Sequence, residues 1–551
     1  MSSRIAQGVA GAALLIGIVT VLARLVGFGR YLVQSQTVGN LCLSTAYNTA
    51  NYVPNIVFEL VAGGALAGMV VPVLASAASR ADDDPEARAE AGQITSALLT
   101  WVMLVMVPLA LLIVAFAGPI VALLVGGPSG CDLTEVVEVG TGMLVVFAPR
   151  MIFFGLAVVL YGVLQAHRRF MGPALAPLVS SLLIVGSHLL FGAVNEKAAD
   201  RLTDLTTAGQ LSLSLGATVA AAAMVLTVVG PVARLRLRLR PTLSFPPGVA
   251  ARARRLATAG IAVLIAQQVT LIVVIFLANN LGGEGALGVY TYAWALYQLP
   301  YAVLVMPIAT SSFPVLSTRA QEGDLAGFNA LTSATTRTVL LVTGLAAGVM
   351  AAVAVPVSRV FLEGSPGGAL AETEMARAVA LFAPGVVGYA LMLHFARILY
   401  SCGLGRSAAA ASVAGWAVAL VAQVGLAHAA ADPADVVGQL ALGSTIGMTV
   451  GGLLLALAVL RARGAAALEG TPRTLLAALV GGVAAWGAGL ALVNTFGAVS
   501  KPAYVAVGLA AATAGVAAFA AVAMMVDRRD ARALLARLRG GPVKEGSGFD
   551  G

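Results

Sequence analysis

Two arginines near the start of the chain first suggest a chemistry by their type and spacing. Arg24 and Arg30 lie in LARLVGFGRYL, inside a long apolar stretch. Six residues apart on a helix, they point about 120° away from each other around its axis, so both fit one broad cavity wall. Guanidinium groups hold phosphate oxygens in pairs, and the two arginines therefore predict a diphosphate site. Snorkelling to an interface or pairing with a carboxylate are the alternatives.

Other polar side chains within apolar stretches are candidates to line the same cavity. Ionisable groups at membrane depth are costly and therefore indicate functional sites. Glu59 is expected to pair with Arg24 or Arg30, or else to carry a proton or cation. Arg150 and Arg397 are interpreted as interfacial anchors. Amides also bond between helices and aromatic rings also form interfacial belts. The remaining candidate substrate contacts are Asn48, Asn51, Gln267, Gln268 and Trp294.

Common catalytic motifs are missing from the sequence. Cys42, Cys131 and Cys402 are far apart without CxxC spacing, which predicts neither a disulfide framework nor a metal site. The four histidines form no HExxH motif, and no lysine lies in a P-loop. We therefore predict no catalytic residue, no metal and no cofactor. A membrane glycosyltransferase is the weakest of the functional alternatives.

The composition excludes a soluble protein. Of 551 residues, 59% are hydrophobic and only 11% are charged, with a mean hydropathy of +0.93, whereas soluble domains carry about 25% charged residues. The net charge is +8. In a membrane protein, positive charge in the loops usually sets the topology, so we expect no nucleic-acid partner. The chain is predicted to be an all-α, polytopic membrane protein with its first helix retained.

Apolar runs long enough to cross a bilayer occur about fourteen times along the chain. Spans two and eight contain several prolines and are expected to be kinked. Roughly 23 of the basic residues lie in one set of connections and about 5 in the other, which places both termini in the cytoplasm. The predicted spans are 8–32, 41–77, 93–117, 136–165, 173–194, 209–230, 256–280, 286–318, 329–358, 375–401, 407–428, 436–460, 473–494 and 503–526.

The sequence also repeats itself weakly. Val70–Asp83 is similar to Ser311–Asp324, and Val158–Phe170 is similar to Ala396–Ala408. An offset of about 240 residues predicts two six-helix bundles of the same orientation. The predicted division is an N-terminal lobe (1–230), a basic cytoplasmic linker (231–255), a C-terminal lobe (256–462), two additional transmembrane helices (463–526) and a basic cytoplasmic tail (527–551). The linker either binds anionic lipid or, as we favour, anchors the topology.

Four segments resemble the MurJ/MviN family of lipid II flippases: LARLVGFGRYLVQSQTVG, AYNTANYVPNIVFELVAGGALAGMVVPVL, YGVLQAHRRFMGPALAPLVSSLLI and YTYAWALYQLPYAVLVMPIATSSFPVLS. The resemblance implies the MATE-like multidrug/oligosaccharidyl-lipid/polysaccharide exporter fold, with two bundles around a central cavity and a lipid-facing groove formed by two C-terminal helices. It also implies that Arg24 and Arg30 match the two cavity arginines of the family's first span.

The chain departs from the family pattern where charged residues are expected. Typical members have an arginine pair in place of Phe58 and Glu59, an acidic residue in place of Thr45, and Asp-Arg in place of Trp294 and Ala295. Much of the cationic ring that the family uses for diphosphate is therefore missing. This predicts that the head group is recognised differently, that another precursor is carried, or that transport has been lost.

The function expected from the resemblance is translocation of an undecaprenyl-diphosphate-linked peptidoglycan precursor, lipid II, across the cytoplasmic membrane by alternating access. The expected partners are this lipid-linked substrate, membrane lipids and cell-wall synthesis proteins. The alternatives are a flippase for another polyprenyl-linked glycan, a drug or cation antiporter of the same fold, and a non-transporting cell-wall scaffold.

Overall fold

The computed structural model describes residues 2–63, 65–127, 130–195, 202–250, 260–497 and 500–538, with side chains described from residue 15 except for 62–68 and 535–538. These ranges contain helices and connections but no strand. The helices are α1 Ser2–Thr37, α2 Cys42–Phe58, α3 Ala65–Ala78, α4 Pro85–Ala115, α5 Ala117–Val125, α6 Leu133–Phe147, α7 Arg150–Ala166, α8 Met171–Val194, α9 Thr207–Ala233, α10 Ile261–Leu281, α11 Ala286–Pro300, α12 Met306–Glu322, α13 Leu325–Ala352, α14 Ala354–Leu362, α15 Gly368–Phe382, α16 Gly385–Ser401, α17 Gly405–His428, α18 Val436–Arg463, α19 Thr471–Thr495, α20 Lys501–Val526 and α21 Arg528–Leu538.

The predicted spans agree with these helices. Twelve segments of the described chain are long and apolar enough to cross a membrane, and the pair α15 and α16, bent by 45°, makes a thirteenth. The second predicted span is built from α2 and α3, joined by the π-helical segment Glu59–Gly63. The chain is a multi-pass membrane protein, and the predicted all-α class is confirmed.

Polar residues set the starts of several spans. Asp84 begins α4 by accepting a hydrogen bond from the amide of Glu86, and Asp132 begins α6 in the same way with Thr134. Thr206 and Asp324 cap α9 and α13. Capping satisfies amides that the first turn of a helix cannot pair. Short polar connections therefore determine where the apolar helices start.

The second and eighth spans share an unusual backbone. Glu59–Gly63 and Tyr301–Val305 are both π-helical. Their first residues are 242 positions apart, as are Pro72 and Pro314, which lie in the helices that follow. A π-helical turn is rare and holds one residue more than an α-helical turn. Its recurrence at the repeat offset supports the predicted internal repeat.

The described chain packs into two compact units. Unit 1 comprises Met1–Gly288 together with Gly364–Gly368, and unit 2 comprises Val289–Glu363 and Ala369–Gly551. In unit 1, α1 packs on α8, α8 on α9, and α2 on α6. The predicted division assigns α10 to the second lobe, whereas the structure places it in unit 1. The Asn279 amide explains this placement, because it donates to Thr49 Oγ1 (2.9 Å) and to the Leu124 carbonyl (3.1 Å).

Close helix contacts in unit 2 depend on small residues. A Cβ added at Gly415 of α17 would lie 2.7 Å from the Cα of Gly451 in α18. Small side chains allow such approach, which drives helix association in membranes. Large side chains fill the interior of the same unit, including Tyr292, Tyr297, Phe328, Phe382 and Phe395.

The predicted linker and tail both pack on the bundles where they are described. The Arg240 amide donates to Ser96 Oγ of α4 (3.0 Å), and the Thr242 amide donates to Thr100 Oγ1 (3.2 Å). The linker residues 251–255 and the tail residues from 539 onward lie outside the described residues. The tail begins with α21, whose Asp530 carboxylate lies 2.7 Å from Arg337 Nε of α13.

Candidate functional site

Of the two arginines predicted to bind phosphate on α1, Arg30 is the one that lies partly inside the protein. Its side chain is half-buried, and its guanidinium donates to the Tyr31 hydroxyl (3.1 Å) and lies 4.9 Å from the centroid of that ring. Arg24 is exposed and forms no hydrogen bond or ion pair with any described side chain. The two arginines therefore differ: Arg30 is held by Tyr31, and Arg24 has no polar partner among the described side chains.

The predicted amides on α2 belong to a polar layer beside Arg30. Gln34 donates to Asn48 Oδ1 (3.1 Å), and Asn48 donates to the carbonyl and the hydroxyl oxygen of Ser44 (2.8 and 3.1 Å). These groups are buried, and a buried amide without a partner would be costly. Asn48 thus joins α1 to α2, a structural role that its type and position did not reveal.

Arg150 corrects the prediction of an interfacial anchor. It begins α7, near the middle of the continuous candidate span Leu133–Ala166, and only 5% of its surface is exposed. Its guanidinium donates to Asn51 Oδ1 of α2 and lies 5.0 Å from the ring centroid of Phe147. The signal that identifies it in the sequence is its place near the centre of predicted span 136–165. An arginine at that depth cannot reach an interface.

Glu59 does not form the ion pair that was favoured for it. It is exposed at the start of the π-helical segment, and no ion pair joins it to Arg24, Arg30 or Arg150 in the described chain. Neither arginine of the interior has a carboxylate to neutralise it. Unit 1 therefore holds two guanidinium groups among hydroxyl and amide groups without a compensating acid from the described residues.

The other predicted contacts lie elsewhere. Gln268 on α10 is buried, and its Oε1 has no hydrogen-bond partner among the described atoms, while its neighbour Gln267 is half-buried. Trp294 belongs to an aromatic cluster of unit 2, with its ring centroid 5.1 Å from that of Tyr297 and 5.7 Å from that of Phe382. The aromatic cluster gives Trp294 a packing role within its own unit.

At two positions where the family resemblance predicts a charged residue, this chain has an uncharged residue that makes a structural contact. Thr45 accepts a hydrogen bond from the Gly285 amide at its Oγ1 (3.2 Å). Phe58 packs against Phe154, with ring centroids 5.2 Å apart. Phe58 therefore supplies an aromatic contact between α2 and α7.

A disulfide corrects the prediction from cysteine spacing. Cys42, at the start of α2, is bonded to Cys131, just before α6, although 89 residues separate them. Because α2 packs on α6, these two positions meet at one end of the bundle, which separation in sequence could not reveal. Cys402 is a free, half-buried thiol.

These features define a class: a multi-pass, all-helical membrane protein. Solved structures share the fold. A lipid II flippase MurJ in an inward closed conformation has a TM-score of 0.71 at 17% identity, covering 94% of this chain and 99% of that chain. An inward-facing MATE-family multidrug resistance transporter of the MOP superfamily has a TM-score of 0.63 at 13% identity, covering 81% and 94%.

Sequence comparison gives the family. The chain matches the family model described as lipid II flippase MurJ over residues 34–507, and it belongs to that family. The lipid II flippase MurJ of Burkholderia cenocepacia is 25% identical over 385 residues, 69% of this chain and 71% of the relative. The probable lipid II flippase MurJ of Rhizobium meliloti is 25% identical over 388 residues, 69% and 68% of the two chains.

Proposed function

We propose that this chain translocates lipid II, an undecaprenyl-diphosphate-linked peptidoglycan precursor, across the cytoplasmic membrane. The observation that carries the proposal is Arg30, a guanidinium inside a membrane span that no described carboxylate neutralises. Such a cation is costly in a bilayer unless an anion meets it. Membership of the MurJ family supports the identity of that anion.

The physical task is to move a hydrophilic head through hydrocarbon while the lipid tail stays in the bilayer. We assign Arg30 to the diphosphate, with Arg24 as a second, more exposed cation. Asn51, Gln267 and Gln268 are assigned to the sugar or peptide of the head group. Binding would alternate between the two sides of the membrane, with the π-helical segments absorbing the change in backbone direction. No covalent bond of the substrate is made or broken, so no catalytic residue is assigned.

The energy source in this proposal is the membrane potential or an ion gradient, because the sequence carries no P-loop. One elementary charge moved across 100 mV corresponds to about 2.3 kcal/mol. An exposed carboxylate at Glu59 that forms no ion pair with any described residue is consistent with ion coupling. Glu59 is therefore our candidate for the coupling residue.

We propose that both termini face the cytoplasm. The distribution of basic residues supports this orientation, and so does the disulfide, since disulfides persist in oxidising compartments. With cytoplasmic termini, Cys42 and Cys131 lie on the outer side of the membrane. After mild reduction of intact cells, a membrane-impermeant maleimide should label these two cysteines and leave Cys402 unlabelled; labelling of Cys402 alone would reverse the orientation.

The function is tested in a strain whose only flippase is this chain. Depletion should stop growth and accumulate lipid II on the inner side, and Arg30→Met should reproduce the depletion phenotype although the protein reaches the membrane. A drug or cation antiporter would leave lipid II pools unchanged on depletion. A scaffold for cell-wall synthesis proteins would keep its function with Arg30→Met.

A further inference from the structure

Arg150 is an arginine at mid-membrane depth that the proposed function has not used. In the candidate span Leu133–Ala166, 17 residues precede it and 16 follow it. Its side chain is almost fully buried within unit 1. A guanidinium cannot lose its proton under physiological conditions. This position therefore carries a permanent positive charge in the interior.

The contacts of Arg150 hold it in place without neutralising it. One guanidinium nitrogen donates to Asn51 Oδ1, and the group lies over two rings, 5.0 Å from the centroid of Phe147 and 5.5 Å from that of Phe154. Its Nε is buried and has no hydrogen-bond partner among the described atoms. Amide and aromatic contacts orient a cation but carry no full negative charge. An unused donor on a fixed cation points to a ligand.

Arg30 is the second cation of the same interior. Arg30 lies one helical turn before Gln34, which donates to Asn48 of α2, and Arg150 donates to Asn51, about one turn further along α2. Two like charges repel, and the repulsion is stronger in an apolar surrounding than in water. No carboxylate of the described chain pairs with either group. An anion with two separate charged groups would satisfy both arginines at once.

We infer that Arg150 is a binding residue for the diphosphate, acting together with Arg30. The inference rests on the proposed function and deepens it. Each guanidinium would meet one of the two phosphates, and the unused Nε–H of Arg150 would supply part of its contact. We expect the pair to prefer a diphosphate over a monophosphate, because a diphosphate offers one phosphate to each guanidinium.

The test is the binding of undecaprenyl diphosphate and undecaprenyl monophosphate to the purified full chain, measured by native mass spectrometry. Arg150→Met should weaken diphosphate binding by about tenfold or more, as expected for a charged hydrogen bond, and monophosphate binding by less than about threefold. Arg461→Gln, which removes an exposed arginine at the end of α18, is the matched control and should bind like the wild type.

Each outcome has a distinct meaning. An unchanged preference for diphosphate in Arg150→Met would overturn the inference alone, whereas a wild-type chain that binds neither lipid would overturn the proposed function with it. If Arg150→Met does not fold, Arg150→Lys keeps the charge without the fork of donors. It should still lose diphosphate binding by at least about threefold. Equal losses for both lipids would indicate a purely structural role and would also overturn the inference.

Discussion

Glu59 and Tyr301 hold the same position in two related spans: each is the first residue of a π-helical segment, and 242 residues separate them. A π-helical turn carries one extra residue and is easily converted to α-helix, which makes it a natural place for a bend to change. One of the two positions carries a carboxylate and the other a phenol. The repeat has therefore kept the backbone irregularity while its side chains diverged.

Removing the extra residue should remove the π-helical turn from the eighth span. Deleting Ala302 from the segment Tyr301–Val305 should convert it to α-helix and lower lipid II translocation in proteoliposomes by at least about tenfold. Deleting Asp83, in the turn between α3 and α4, serves as the control and should leave transport intact. Undiminished transport by a folded Ala302 deletion would show that the π-helical segment is not needed for the transport cycle.

The disulfide should stabilise the N-terminal unit. Cys42→Ser should lower the free energy of unfolding by about 3 kcal/mol, because the bond closes a long loop of the unfolded chain. The measurement is thermal unfolding in detergent, with and without reductant. Cys402→Ser, which removes the free thiol, should unfold like the wild type. Equal unfolding temperatures for Cys42→Ser and the wild type would contradict this role.

A larger side chain at the contact between α17 and α18 should destabilise the protein. Gly415→Leu should destabilise unit 2 by about 1–3 kcal/mol or prevent folding, because the backbone of Gly451 lies where the side chain would go. A Cβ added at Gly425 on the same helix would have no neighbouring atom within 4 Å, so Gly425→Leu should be tolerated. Detergent-solubilised yield and thermal unfolding of the two variants provide the comparison, and equal behaviour would refute the packing argument.

The tail helix α21 should be released when its ion pair is broken. Arg337 and Asp530 are 17% and 20% exposed, so the pair is partly shielded from water. Arg337→Met should raise the rate of trypsin cleavage at Arg528 and Arg529 about tenfold, as expected from losing a charged hydrogen bond. Arg319→Met, which removes a more exposed pair with a 3.9 Å separation, should change that rate little. Cleavage at the wild-type rate in Arg337→Met would mean that other contacts hold α21.

Much of the fold is predictable from the sequence because the bilayer restricts the length and composition of each span. Apolar length and the charge of the connections determine where a span begins and ends, and the predicted spans agree with helices throughout the described chain. The pattern of apolar residues did not predict the bend between α15 and α16 or the short helix α5. Bends arise from local packing and backbone strain, to which hydropathy is insensitive.

The candidate site was harder to predict, because contacts across helices decide it. Arg30 could be proposed from residue type and depth alone. The depth of Arg150 follows from its place in predicted span 136–165. Its contact with Asn51 and the Cys42–Cys131 bond depend on α2 packing against α7 and α6, which no local pattern encodes. Asn48 looked like a ligand contact and instead joins α1 to α2. Residue type thus indicates what a polar group can do, and tertiary packing decides whether it is free to do it.

Translocation of fluorescent lipid II by proteoliposomes that contain only this chain tests the central claim most directly. The wild type should move lipid II between leaflets, Arg30→Lys should retain part of the rate, and Arg30→Met should lower it by at least about tenfold through the loss of a charged contact to phosphate. Arg461→Gln should match the wild type. A wild-type rate no higher than that of protein-free liposomes, or an unchanged rate in Arg30→Met, would contradict the account.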